Sequence, residues 1–398
     1  MKNDFTIPYS EIKNRISVIQ RQMQENNIDA LCVLQHSDLY YFSGTAQNGL
    51  LFIPADGVPL LFIIKYLPRA QKESPIDDII GIRSIRDVPG LLMDYRVHNI
   101  ETLAFEFDVL PVRDFEYYKT LFSAKIYVDG SGLILKTRMI KSSWEIEQME
   151  KSAELSCRTF EYIRSSIRPG YTEIEFSGMY ETFARKHGHD GFLKVRNYRE
   201  KAYNWHILSG RSGGIVGVLD APASGEGTSP AFPNGAGNRV IQANEPIMVD
   251  LGTVINGYHT DETRMFAIGS MPDEAMNACM ASIDIHDYVL DRARPGIPVH
   301  ELYDISVKRA ETLGVLPQYL GPEDEKVIFV GHGIGLELVE QPIIARGKGT
   351  VLEPGMTFSL EPKLVYRDRF SAGIESVFAV TETGCRLISR VPVDVIIC

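Results

Sequence analysis

Apolar residues at Ile12, Ile16, Ile19 and Met23 recur with helical spacing, and the run Ala30-Leu-Cys-Val-Leu34 behind them reads as a buried strand. Two further apolar runs, 50–54 and 59–64, flank Ala55-Asp-Gly-Val58 and predict a β-hairpin with a short turn. Strands are also expected at 102–107 and 125–128. This alternation describes a small α/β domain over residues 1–140, and it contains no glycine-rich phosphate loop.

A different grammar begins at residue 141. Ser142 and Glu145 have the spacing of a capping box, and Ile146, Met149, Ala153, Cys157, Phe160 and Ile163 then share one helical face. Arg168-Pro-Gly170 stops that helix. Thr172 and Glu175 start another, which ends at Gly188. The pattern returns downstream, where a helix over 273–293 stops at Arg294-Pro-Gly296 and its successor runs to Gly314. Gly170 and Gly188 lie 18 residues apart, as do Gly296 and Gly314, with the second pair offset by 126 residues. Arg-Pro-Gly is a common helix stop in itself, so the equal spacing carries the argument for two related halves with a cleft between them.

Between the helix pairs lies Pro246-IMVDLGTVINGYHTDETRMFAIG, two β-rich runs around Asn256-Gly257, a strong two-residue hairpin signal. With that turn, Ile255 faces Tyr258, Gly252 faces Asp261 and Asp250 faces Thr263, so Asp250, Asp261 and Thr263 share a face. The two aspartates become diagonal neighbours roughly 7 Å apart at Cβ. Two unpaired carboxylates that close in an apolar core are costly, and a cation between them resolves the conflict. The alternative is that one of them points to solvent beside Arg264.

His332 sits between two glycines in Val330-GHGIGLELVEQP, which lets the backbone there approach a neighbour closely. The segment Met356-TFSLEPKLV…AGIESVFAVTETG reads as a pair of strands, each interrupted by one glutamate, Glu361 and Glu375. Glutamate is seldom buried without a partner charge. Four carboxylates and an imidazole suit two divalent ions such as Mn²⁺, Co²⁺, Zn²⁺ or Fe²⁺, around a hydroxide that is nucleophilic at neutral pH.

Bulk properties narrow the partners. A chain of 398 residues exceeds one ordinary core, so two domains are expected. With 44% apolar and 23% charged residues it is globular, and a net charge of −11 without a Lys/Arg cluster argues against nucleic acid or an anionic membrane. Five scattered cysteines without CxxC spacing read as reduced thiols of a cytoplasmic protein. The first fifteen residues lack the apolar core of a signal peptide, and no apolar run is long enough to span a bilayer.

The stretches VDLG (249–252), TDETR (260–264), GHGIGLE (331–337), LEPGMTFSLEP (352–362) and GIE (373–375) resemble the pita-bread metallopeptidase family, which includes prolidase, aminopeptidase P, methionine aminopeptidase and creatinase. DLYYFSG (38–44) is similar to the non-catalytic domain of the prolidase and aminopeptidase P branch. The resemblance covers essentially the whole chain and implies an α/β N-terminal domain, then an α+β pita-bread catalytic domain over 141–398 with an internal pseudo-twofold repeat. It further implies that Asp250, Asp261, His332, Glu361 and Glu375 bind two divalent ions. Asp261 and Glu375 would bridge them, Glu361 would also carry the proton, and Thr263 would steady the hydroxide from behind. The implied activity is Xaa-Pro cleavage of a small peptide by a homodimer.

This chain departs from that pattern at three positions. Phe232-Pro233 stands near an expected histidine, Val339 replaces a second histidine, and Gly373 replaces an arginine. The replacements keep open a creatinase-like action on a small non-peptide C–N compound, or binding without turnover. His206 offers an imidazole from another strand, either to the reaction or to core packing. His259 is expected on the opposite face of the hairpin from Asp261.

Overall fold

In the computed structural model, which describes residues 5–97, 99–196, 205–217, 219 and 221–398, the chain divides into two units, Met1–Arg138 and Met139–Cys398. The apolar runs of the first unit build a six-stranded sheet in the order Ile79–Ile82, Leu60–Ile64, Gly49–Pro54, Ala30–Val33, Thr102–Phe105, Ile126–Asp129. The three central strands are antiparallel and the outer pairings parallel. Ala30, Cys32, Leu50, Phe52, Leu60, Phe62, Leu103 and Phe105 alternate onto one buried face, as period-two side chains must.

Sequence periodicity did not announce the strand Ile79–Ile82, which is mostly half-exposed, or the helix Val112–Leu121, which has no buried residue. The short helix His36–Ser43 was also missed. It depends on its ends: Gln35 accepts a bond from the Asp38 amide, and Gly44 closes it at φ 81°.

The second unit carries two helix pairs. Ser143–Ser166 and Glu173–Lys186 form the first, Asp273–Leu290 and Val299–Thr312 the second. Both capping boxes are formed, with Ser142 and Thr172 each bonding the glutamate three residues on. Gly170, Gly188, Gly296 and Gly314 all have positive φ, so each Arg-Pro-Gly stop and each closing glycine does the same conformational work in the two halves. Thr172 bridges Val240 and Pro298 bridges Val351, a matching strand contact just before the second helix of each pair.

The first pair packs on a four-stranded sheet ordered Ile396–Ile397, Tyr258–Ala267, Ile247–Ile255, His206–Ser209. The second packs against a five-stranded sheet, ordered Glu340–Ala345, Phe329–Gly333, Thr357–Leu360, Ser376–Val380, Cys385–Leu387, and against the ribbon of Lys363–Tyr366 with Phe370–Gly373. An α+β architecture with an internal repeat, following an α/β domain in the chain, is therefore what the second unit adopts.

One correction concerns the last β region. Each of its two expected strands is split, the first at Glu361-Pro362 and the second at Ile374-Glu375. Proline has no N–H for a ladder, and the halves on either side belong to different sheets. Both glutamates thus stand where the chain passes from one sheet to the next.

Candidate metal centre

The central hairpin has the expected register: Ile255 pairs Tyr258, Gly252 pairs Asp261 and Asp250 pairs Thr263. Asn256 and Gly257 both take positive φ, 54° and 83°, the requirement of a type I′ turn. Much of what holds the hairpin is polar. Ser152 donates to the Tyr258 carbonyl and accepts from the Ile255 amide, Gln148 receives the Asn256 side-chain amide, and Tyr258 donates to Glu145. Consequently the buried side of Ser143–Ser166 keeps Met149, Ala153, Phe160 and Ile163 of the expected face but extends over Gln148, Ser152, Ser156 and Thr159, while Ile146 and Cys157 are only half-buried. His189 and Asp190 clasp the other side, accepting from the Val254 and Gly257 amides.

His332 lies on Phe329–Gly333, between Glu340–Ala345 and Thr357–Leu360. The flanking glycines are explained by close approach: a Cβ at Gly331 would come within 2.2 Å of the Ser359 carbonyl, and one at Gly333 within 2.1 Å of the Gln341 carbonyl. Glu361 is fixed by its amide bond to the Val330 carbonyl, and Glu375 by a backbone bridge to Thr263.

These elements converge on one cavity of about 90 Å³, lined by His206, Asp250, Asp261, His332, Glu361, Lys363 and Glu375 together with Leu193, Leu338 and Val339. His332 Nε2 stands 3.6 Å from Glu361, 3.9 Å from Asp261 and 3.9 Å from Glu375. One donor atom each from Asp261, His332 and Glu375 lie within 4.8 Å of one another, a group able to hold one ion. Thr263 Oγ1 donates to Glu375 at 2.9 Å and Ser359 Oγ to its other oxygen at 2.7 Å, fixing that carboxylate's plane.

The residue that sequence reading missed is Lys363. Its Nζ lies 2.9 Å from each of Asp250, Glu361 and Glu375. A lysine two positions beyond a buried glutamate, directly before Leu364-Val365, was the available signal: such an ammonium is buried only where anions surround it. An ammonium thus occupies the hollow between Asp250 and Glu375.

The electrostatics follow from this arrangement. Burial pushes Asp261 well above the usual carboxylate range, helped by the neighbouring charges of Glu375 and Asp250. Burial likewise raises Glu361, with Glu375 adding to the effect and Lys363 opposing it. Burial would raise Asp250 too, but Lys363 and His206 more than offset it and leave that carboxyl lowered. Lys363 is itself raised well above its ordinary value, since the three carboxylates outweigh its desolvation.

His206 pairs Asp250 across the strand ladder and is 8% exposed, and its Nε2 is buried without a hydrogen-bond partner at the cavity wall. Burial lowers its pKa. The expectation for His259 was wrong: residues 259 and 261 are two apart on one strand and share a face. Its ring is nonetheless engaged on both nitrogens, by the Lys194 amide and the Gly335 carbonyl, and burial drives its pKa down to about 3. Val339 is 37% exposed at the cavity rim, and Gly373 lies directly across the ribbon from Lys363. Phe232 is exposed and lies on a neighbouring pocket.

The sequence model of metallopeptidase family M24 matches residues 147–382, and that of the creatinase/prolidase N-terminal domain matches residues 15–140. An Xaa-Pro dipeptidase of Pyrococcus furiosus is 25% identical over 382 residues, spanning 95% of this chain and 98% of the relative. An Xaa-Pro dipeptidase of Lactobacillus helveticus is 25% identical, over 94% and 96% of the two chains. Among solved structures, an Xaa-Pro dipeptidase from Bacillus anthracis superimposes with a TM-score of 0.83 at 24% identity, covering 97% of this chain and all of that one (100%). An X-Pro aminopeptidase from Thermotoga maritima gives a TM-score of 0.80 at 22% identity, over 95% and 100% of the two chains.

Proposed function

This chain belongs to metallopeptidase family M24 and is a divalent-metal-dependent hydrolase, and on that premise we propose that it cleaves Xaa-Pro bonds in small peptides. The observation that carries the reading is the convergence of Asp261, His332, Glu361 and Glu375 from separate segments of the chain on one cavity. The two Xaa-Pro dipeptidase relatives, aligned over nearly their whole length, support the substrate class.

A divalent ion such as Mn²⁺, Co²⁺, Zn²⁺ or Fe²⁺ on Asp261, His332, Glu361 and Glu375 would supply a nucleophilic hydroxide at neutral pH and polarise the scissile carbonyl. The other steps belong to side chains. Glu361, pushed up by burial, is the group that takes the proton from the attacking water and passes it to the leaving amine. Thr263 and Ser359 hold Glu375 in one orientation throughout. His206, with its free Nε2 beside Asp250, is placed to hydrogen-bond a substrate carbonyl. The apolar wall of Leu193, Leu338 and Val339 suits the ring of a proline better than a charged side chain.

Val339 and Gly373 also favour a second reading, hydrolysis of a small non-peptide C–N compound, because the polar groups implied there by the family resemblance are missing. A panel of Xaa-Pro dipeptides and tripeptides, amidines, cyclic amides and N-acyl amino acids, assayed with each of the four metals, separates the two. Turnover confined to the Xaa-Pro peptides is expected. Turnover confined to the non-peptides, or none at all, contradicts the proposal. A cytoplasmic location and a homodimer complete it. The five cysteines are unpaired, and no helix among the described residues is long and apolar enough to cross a membrane.

A further inference from the structure

We infer that the ammonium of Lys363 takes the place of a second metal ion, so that the centre holds a single divalent cation on Asp261, His332, Glu361 and Glu375. The inference rests on reading this cluster as a metal site. It departs from the two-ion centre that the family resemblance implies.

Geometry is the first ground. Lys363 Nζ lies 2.9 Å from oxygens of Asp250, Glu361 and Glu375, three carboxylates reaching it from the central hairpin and from the two breaks between sheets. That is a cation's coordination shell at hydrogen-bond length, whereas a divalent ion would draw the same oxygens to about 2.0–2.2 Å. An ammonium and a dication cannot share that hollow, because each needs the same oxygens and they repel one another. The remaining donors, gathered around His332, still form a group of the size one ion needs.

Space is the second ground. Lys363 pairs Gly373 across the ribbon, and a Cβ on Gly373 would stand 2.6 Å from Lys363 Cγ. A side chain at 373, such as the arginine that the resemblance implies, therefore excludes the lysine stem from this path. A glycine at 373 and a buried lysine at 363 are thus sterically linked, the first leaving room for the stem of the second.

Charge is the third. Four carboxylates facing one dication and one ammonium keep a single negative charge. Four carboxylates facing two dications are neutral, each case taken before a hydroxide binds. The ammonium thus supplies half of the positive charge that a second ion would bring to the same oxygens.

The experiment is metal stoichiometry on the full chain. The protein is saturated with Mn²⁺ or Co²⁺, freed of loose metal on a desalting column, and measured by elemental analysis per mole of chain. It is run beside Lys363→Ala and Lys363→Gln, the second of which keeps most of the stem if the first folds poorly. One ion is expected in the wild type and two in either folded variant. Two ions in the wild type overturn the inference while leaving the metal reading intact. So do single ions in all three proteins, because Lys363 would not then be what excludes the second. A chain that retains no ion overturns the metal reading itself.

Discussion

At the scale of single residues the centre is a problem of crowded negative charge. Asp261 and Glu361 have pKa values raised by burial and by neighbouring carboxylates, so in the metal-free protein both hold protons to a higher pH than free carboxyls do. An incoming ion must displace those protons. The sign follows: apparent affinity rises with pH as the two groups empty, and falls as pH drops through their raised values. Below those values Mn²⁺ affinity should decline about tenfold per pH unit for each proton displaced, as measured calorimetrically while the pH is lowered stepwise from neutral. An affinity flat across that window would show that the ion binds elsewhere.

The residue scale is also where sequence reading succeeded and failed most clearly. Asp250 and Asp261 could be placed on one face because a two-residue turn fixes register and register fixes facing. From this came the argument that a cation must lie between them. A cation does reach Asp250, but it is the ammonium of Lys363, which binds Asp250, Glu361 and Glu375 and arrives from a strand more than a hundred residues away. Nothing in local periodicity encodes so long-range a meeting.

At the scale of elements, the site depends on how strands begin and end. The hairpin turns on Asn256 and Gly257, both at positive φ, and the register beyond that turn carries Asp250 to Thr263. A β-branched residue cannot take φ 83° without strain, so Gly257→Val should destabilise the fold by about 1–2 kcal/mol. Urea unfolding of wild type and variant measures it, and an unchanged midpoint would contradict the importance given to the turn. The glutamates show the converse case. Alternation of apolar residues predicts continuous strands through 361 and 375, but the chain changes sheet at both, which frees each carboxylate to point into the cavity. Likewise the apolar pattern found Met149, Ala153, Phe160 and Ile163 on the buried face of Ser143–Ser166 but not Gln148 and Ser152, which are inside for hydrogen bonding, a role a hydrophobic pattern cannot register.

At the scale of the whole molecule the two helix pairs were legible because helix stops and capping boxes are local chemistry repeated at equal spacing. They frame the sheets that bring Asp261, His332, Glu361 and Glu375 together, so the fold acts as the device that assembles a hydrolytic cation site from distant strands. The most direct test of that account is a titration of metal-stripped protein with Mn²⁺, with bound ion and Xaa-Pro dipeptide hydrolysis measured on the same samples. Hydrolysis should be absent at the start, rise in proportion to bound ion and vanish again on chelation. Hydrolysis that is already complete in the stripped protein, or that stays absent when ion is fully bound, would contradict it.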